Sequence, residues 1–418
     1  MEPNTNTFNG LGIAPALLDI LNTLQYKSPT PIQFKAIPPA IEGKDVIGIA
    51  QTGTGKTLAF GIPLLQRLAQ DGGQGLVLLP TRELALQVEA ELLKIGKAFK
   101  LRTALLIGGA SMTLQMRAIK ALPHVIIATP GRLNDHLEQK TVKLDRARII
   151  VLDEADRMLD MGFWPQVKRI MVYLPKERQT MLFSATLSKE IMELATGHMK
   201  LPTRIEVAPA GTTAEKVSQE FFIVRKEEKM RLLENILSSR VGSTIVFTKM
   251  KFGAKRVTHA LKAMGHTAAE IHSNRSLNQR KEALEGFKNG RYRILVATDI
   301  AARGIDVKGI ELVVNYDMPS QTEDYVHRIG RTARAGAEGH AITFAEPFEQ
   351  RDIRDIERLI RKSVPISQLP VLPPPRNPAP LPSSGHAHAR PQRRPHYGSH
   401  SNGVGSSRSH SRSNFRRR

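Results

Sequence analysis

Two hydrophobic rhythms alternate along this chain. Short, nearly all-apolar runs occur at residues 45–49, 75–79, 103–107, 125–128, 149–152, 180–183 and 204–207. Between them lie stretches such as 83–99, where apolar residues recur every three or four positions, the spacing of one helix face. Strands with no polar face must be covered on both sides, which predicts a parallel sheet between two helical layers. Residues 208–216 are rich in small residues and lose all periodicity, so a linker is expected there. The alternation then resumes, with strands expected at 221–224, 244–247, 268–271, 294–297, 312–314 and 341–344 and helices at 229–238, 253–264, 277–288 and 350–361. The pattern therefore predicts an α/β chain with one domain over 1–207 and a second of similar size over 217–364.

From residue 365 the pattern stops. Residues 369–382 are proline-rich and favour extended, polyproline-like backbone. Residues 383–418 consist mainly of Ser, Gly, His and Arg and carry too little apolar surface to offset their ordering entropy, so a disordered tail is expected after about 370. The formal net charge is +22. Nine arginines beyond Val371 supply less than half of it, so the folded part is basic as well. Such a balance calls for a polyanionic partner, and nucleic acid fits better than a membrane surface because no basic amphipathic helix or lipidation motif is present. The absence of cysteine excludes disulfides and thiolate metal sites and fits an intracellular protein. No basic segment followed by an apolar one opens the chain, and no run approaches 18 apolar residues, so neither a signal peptide nor a membrane span is expected.

Ala50-Gln51-Thr52-Gly53-Thr54-Gly55-Lys56-Thr57 joins the first apolar run to a helical stretch. Strand, glycine-rich turn and helix start make a phosphate cradle: glycines let backbone N–H groups converge, Lys56 adds charge for the β- and γ-phosphates, and the Thr57 hydroxyl can ligate Mg²⁺. Ala50 stands where the pattern usually begins with glycine. Further on, 149–152 runs into Asp153-Glu154-Ala155-Asp156. This puts carboxylates at the C-terminal end of a buried strand, where open α/β sheets bind ligands. Asp153 there can hold Mg²⁺ through water and Glu154 can orient an attacking water. The second half has no such glycine loop, so one nucleotide site between two lobes is the economical arrangement.

With these motifs in this order, the chain resembles the DEAD-box family of ATP-dependent RNA helicases over residues 8 to about 362, and its compact core with a basic tail is similar to the bacterial RhlE subgroup. The resemblance implies two tandem RecA-like domains of helicase superfamily 2, with ATP and Mg²⁺ as cofactors. It implies that Phe8 or Tyr26 packs beside adenine while Gln33 reads its edge. Thr81, Arg82, Gly109, Thr129 and Arg132 match the family's RNA-contacting loops in the first lobe; Arg280 and Thr298 do so in the second. Ser184, Thr186 and His327 match coupling positions, and Asp306 matches the ribose contact. Arg331 and Arg334 match arginine fingers that reach a γ-phosphate held on the other lobe. Two positions depart from the family pattern: Leu277 stands in place of a Gln and Ala333 in place of a Gly.

The expected activity is an RNA-stimulated ATPase that closes two lobes on single-stranded RNA and locally unwinds duplex RNA, tolerant of sequence. A cytoplasmic monomer working in ribosomal or RNA-turnover assemblies is the implied setting. Three other readings stay open at this level: an ATP-gated RNA clamp or chaperone with little unwinding, a DNA-translocating helicase, and a small-molecule kinase.

Overall fold

The alternating pattern closes into two seven-stranded sheets. The computed structural model describes residues 7–51, 53–207, 217–302, 307, 309–332 and 339–374. The expected linker 208–216, Thr52, Asp306, Ala333, Arg334 and the tail from 375 lie outside the described residues. The first sheet contains β1 (Val46–Ile49), β2 (Gln74–Leu78), β3 (Thr103–Leu106), β4 (Val125–Ala128), β5 (Ala147–Leu152), β6 (Gln179–Ser184) and β7 (Thr203–Glu206). The second contains β8 (Val217–Ile223), β9 (Thr244–Phe247), β10 (Ala268–Ile271), β11 (Ile294–Ala297), β12 (Leu312–Asn315), β13 (Gly339–Ala345) and β14 (Ile366–Ser367). The described pairings are all parallel.

The orders are β3-β4-β2-β5-β6-β1-β7 and β10-β11-β9-β12-β13-β8-β14. Counted from its own first strand, the second sheet repeats the first, so the lobes are two copies of one topology. Alternate residues of each strand feed opposite cores. Val46, Val77, Val151 and Met181 face one layer, while Ile47, Leu76, Ile150 and Leu182 face the other. The second lobe divides in the same way, with Ile245 and Leu295 on one side and Val246 and Val296 on the other. This two-residue alternation between two dry layers is why the strands read as unbroken apolar runs.

Three details differ from the sequence expectation. The helix expected over 83–99 is Arg82–Ile95, followed by a 3-10 turn at Lys97–Phe99. Gly96 ends it, being a poor helix former whose missing Cβ would lie 2.6 Å from Leu101 Cδ2. Ahead of β1, helices Pro15–Thr23 and Pro31–Ile41 are set by prolines in their first turns rather than by a clean period. Order also runs past 370: Leu372 packs against the second lobe's core and the Pro373 carbonyl accepts from Arg231 Nε at 2.6 Å. Among the described residues no helix is long and apolar enough to cross a membrane.

Candidate ATP site and nucleic-acid edge

The strand order sorts the motifs. β5, β6 and β1 are neighbours, so the segments that follow them meet at one half of the first sheet's C-terminal edge. These are Asp153–Asp156, Ser184–Thr186 and the glycine loop. β3, β4 and β2 are neighbours at the other half, bringing together Gly108-Gly109, Thr129-Pro130-Gly131-Arg132 and Pro80-Thr81-Arg82.

In the glycine loop, Gly53 and Gly55 adopt φ of +84° and +90°, which a side chain would strain. Gly55 caps the helix Lys56–Asp71, so its first N–H groups face the loop. Lys56 is only 6% exposed. Its ammonium donates to the Ala50 carbonyl at 3.1 Å and lies 4.0 Å from Asp153 Oδ1. The Thr54 hydroxyl donates to the Gln51 carbonyl at 2.7 Å, tightening the turn. Gln33 closes it from outside: its amide donates to the Gly55 carbonyl at 3.0 Å, and its oxygen accepts the Thr30 N–H at 2.9 Å. Tyr26 is half-buried, donates its hydroxyl to Glu91, and has its pKa pushed up by burial and that carboxylate. Phe8 lies within the first lobe's core at 5% exposure.

Glu154 holds φ +53° and ψ +51°, a left-handed conformation unusual for a side-chain-bearing residue and of the kind functional sites retain. Burial pushes the Asp153 carboxyl up to about 6, with Lys56 opposing and Glu154 adding repulsion. Asp156 binds the turn after β6: its Oδ2 accepts the Ala185 and Thr186 N–H groups, both at 3.0 Å, and the Thr186 hydroxyl at 3.3 Å. Its own N–H donates to Ser184 Oγ at 3.1 Å. Burial alone would raise the Asp156 carboxyl, yet Lys56, Arg157, His327 and the Thr186 N–H outweigh it and hold it low.

Arg157, absent from the sequence reading, is 1% exposed, with Nε 3.3 Å from Glu154 Oε2. Its Nη1 and Nη2 have no hydrogen-bond partner among the described residues. They border a cavity of about 10 Å³, room for a single water, that the second lobe lines with Asp299, Asp324, His327, Arg328 and Arg331. Burial and the neighbouring Arg157 lower the His327 pKa, against the pull of Asp324 and Asp156. Arg331 donates Nε to the His327 carbonyl at 3.2 Å. Arg328 is committed within its own lobe, gripping Asp299 at 2.6 and 2.7 Å.

At the other half, the Arg82 guanidinium lies over Gly108-Gly109, so close that a Cβ on either glycine would come within 2.8 Å of it. Arg132 donates to the Ala110 carbonyl at 3.2 Å, and Thr81 caps the helix Arg82–Ile95 through Leu84 N at 3.3 Å. Thr129 caps the helix Pro130–Glu138, and Thr298 follows β11 with its N–H on the Ile271 carbonyl at 3.3 Å. Arg280, expected at RNA, donates Nη2 to Glu83 Oε2 of the first lobe at 2.7 Å.

A buried lysine in a glycine loop, acidic residues beside it and a second copy of the fold presenting arginine and histidine across the gap define a two-lobe P-loop NTPase. Family models agree: DEAD/DEAH box helicase matches residues 30–194, and Helicase conserved C-terminal domain matches 228–336. The chain is 41% identical over 369 residues to the DEAD-box ATP-dependent RNA helicase CshA of Bacillus cereus, spanning 88% of this chain and 70% of that one. To the ATP-dependent RNA helicase DbpA of Bacillus subtilis it is 43% identical over 356 residues, 84% of this chain and 74% of the other. Saccharomyces cerevisiae Dbp5 bound to RNA and ADP BeF3 superposes with a TM-score of 0.78 at 30% identity, covering 86% of this chain and 95% of Dbp5. The chain belongs to the DEAD-box ATP-dependent RNA helicases, RNA-stimulated ATPases built from two RecA-like domains. These relatives carry CshA and DbpA names, so the RhlE likeness rests on the compact core and basic tail alone.

Proposed function

We propose that this helicase binds ATP in the loop 50–57, closes its two domains, 1–207 and 217–364, on single-stranded RNA, and resets by hydrolysis. What supports this reading is that the strand order gathers 50–57, 153–156 and 184–186 at one half of a sheet edge and 80–82, 108–109 and 129–132 at the other, while the second lobe brings Arg331 beside Arg157 and Arg280 onto Glu83. Lys56 exchanges the Ala50 carbonyl for β- and γ-phosphate oxygens. Gln33 carries the adenine edge with Phe8 or Tyr26 beside it, and couples that element to the loop through Gly55. Glu154 orients the attacking water, Arg157 fixes Glu154, and Arg331 with Arg334 stabilises charge on the transferred phosphoryl group. Asp306 is the proposed ribose contact.

Mg²⁺ suits the donor set. A divalent cation that binds a triphosphate would need few protein ligands, because phosphate oxygens and water would supply the rest. The hard oxygens of Thr57 and, through water, Asp153 would hold it, and it would neutralise phosphate charge. RNA lies across Thr81, Arg82, Gly109, Thr129, Arg132, Arg280 and Thr298, mainly through phosphates and 2′-hydroxyls. The arginines over 390–418 tether the strand by charge, and the protein works as a cytoplasmic monomer in ribosomal or RNA-turnover assemblies.

Glu154→Gln tests the assignment. ATP and RNA binding should persist while turnover falls at least a hundredfold; normal ATPase in that variant would refute the role. A duplex-release assay separates unwinding from an RNA clamp, which would bind RNA with ATP and release nothing.

A further inference from the structure

The second lobe's repeat of the first lobe's topology places an unassigned segment at an informative position. β9 occupies in the second sheet the place β2 holds in the first, so Thr248-Lys249-Met250-Lys251-Phe252 is the counterpart of Pro80-Thr81-Arg82. Each leads into a helix, here Lys251–Ala263. The segment adjoins the proposed RNA edge directly: the Thr248 N–H donates to the Ala297 carbonyl at 2.9 Å, and the next residue is Thr298. Lys251 Nζ donates to Asn274 Oδ1 at 3.1 Å, tying it to the loop that precedes Arg280's helix.

Its surface has an unusual chemistry. Phe252 is 69% and Met250 65% exposed, both at the start of the helix that follows β9. Lys249, Lys255 and Arg256 are exposed around them, and the Lys251 ammonium sits 5.3 Å from the Phe252 ring centroid. No Asp or Glu occurs between Glu234 and Glu270. A lone exposed aromatic needs no explanation, but an aromatic face set among cations and continuous with a nucleic-acid edge matches how single strands are held: phosphates on the cations, bases on the ring.

We propose that Phe252, flanked by Met250 and framed by Lys249, Lys251, Lys255 and Arg256, is a stacking platform for an unpaired base of the bound RNA. This rests on the helicase reading and adds to it a contact to a base rather than to backbone. Every base has a stacking face, so the contact keeps recognition sequence-tolerant while favouring unpaired over paired strands.

The test uses the full chain, a fluorescein-labelled single-stranded RNA, and matching RNAs with one abasic position moved along the strand. Phe252→Ala should weaken binding of intact RNA about five- to tenfold, the scale of one lost base stack. Phe252→Trp should restore it, and at one abasic position wild type and Phe252→Ala should bind alike. If Phe252→Ala stays within twofold of wild type on intact RNA, or its loss is undiminished on every abasic strand, the platform is wrong while the helicase reading stands. If the wild-type chain binds no RNA, both fall.

Discussion

Arg280 and Glu83, 197 residues apart in the chain, meet at 2.7 Å as a buried ion pair between the two lobes. Burial pushes the Glu83 carboxyl up, with Arg280 opposing, and burial lowers the Arg280 guanidinium. Removing one partner leaves the other charge buried and unpaired, at a cost of about 3–5 kcal/mol to the closed arrangement. Arg280→Ala and Glu83→Ala should each weaken RNA binding in the presence of a non-hydrolysable ATP analogue tenfold or more. The double variant should be little worse than either single one. A double-mutant cycle reads this, and strictly additive losses would show that the pair does not couple the lobes.

One turn earlier on the same helix face, Leu277 packs against the first lobe's core. A leucine in place of the family's Gln therefore adds apolar contact across the gap. Leu277→Gln should reduce closure, seen as a several-fold higher RNA concentration for half-maximal ATPase with kcat within about twofold of wild type; an unchanged RNA requirement would mean the contact contributes nothing to closure.

Gly55 is held at φ +90°, and a Cβ there would sit 2.3 Å from Gln33 Nε2. Gly55→Ala should abolish measurable ATP binding while leaving RNA-free thermal unfolding within a few degrees of wild type. Gln33→Ala, which removes the amide's bonds to the Gly55 carbonyl and the Thr30 N–H along with the proposed adenine contact, should raise the KM for ATP at least several-fold, as expected for the loss of a few hydrogen bonds. Nucleotide titration of both variants checks this.

His327 sets a pH dependence. Burial and Arg157 place its folded-state pKa below the ordinary value of 6.5, although Asp324 and Asp156 pull the other way. The unfolded chain therefore takes up the proton first. His327 costs no stability above about pH 6.5, and its penalty grows as the pH falls from there toward the folded value. His327→Gln should lose less melting temperature than wild type between pH 7.5 and 5.5; equal losses would place the titrating group elsewhere.

Much of this was legible in the chain. The runs at 125–128, 244–247, 268–271 and 294–297 coincide with β4, β9, β10 and β11, because strands buried on both faces are nearly all apolar, with Thr244 and Glu270 the polar residues among these four. The family motif drew Ser184 and Thr186 into the reading as coupling positions, and the structure shows Asp156 accepting from the Ala185 and Thr186 N–H groups. Arg157 and Glu83 were not singled out. A charged residue on a helix is ordinarily read as solvated, and nothing local says that another lobe will cover it. β14, two residues long and paired with β8, carries no periodic signal at all.

The amino-acid order by itself determined the two α/β halves, the glycine loop and the acidic strand end, since each depends on residues adjacent in the chain whose backbone preferences and burial act locally. Only the tertiary structure decided which strand ends are neighbours, that the second sheet repeats the first, and that Arg280 faces Glu83 and Arg157 faces His327. Those relations join residues far apart in sequence, and they arise from sheet order and lobe packing.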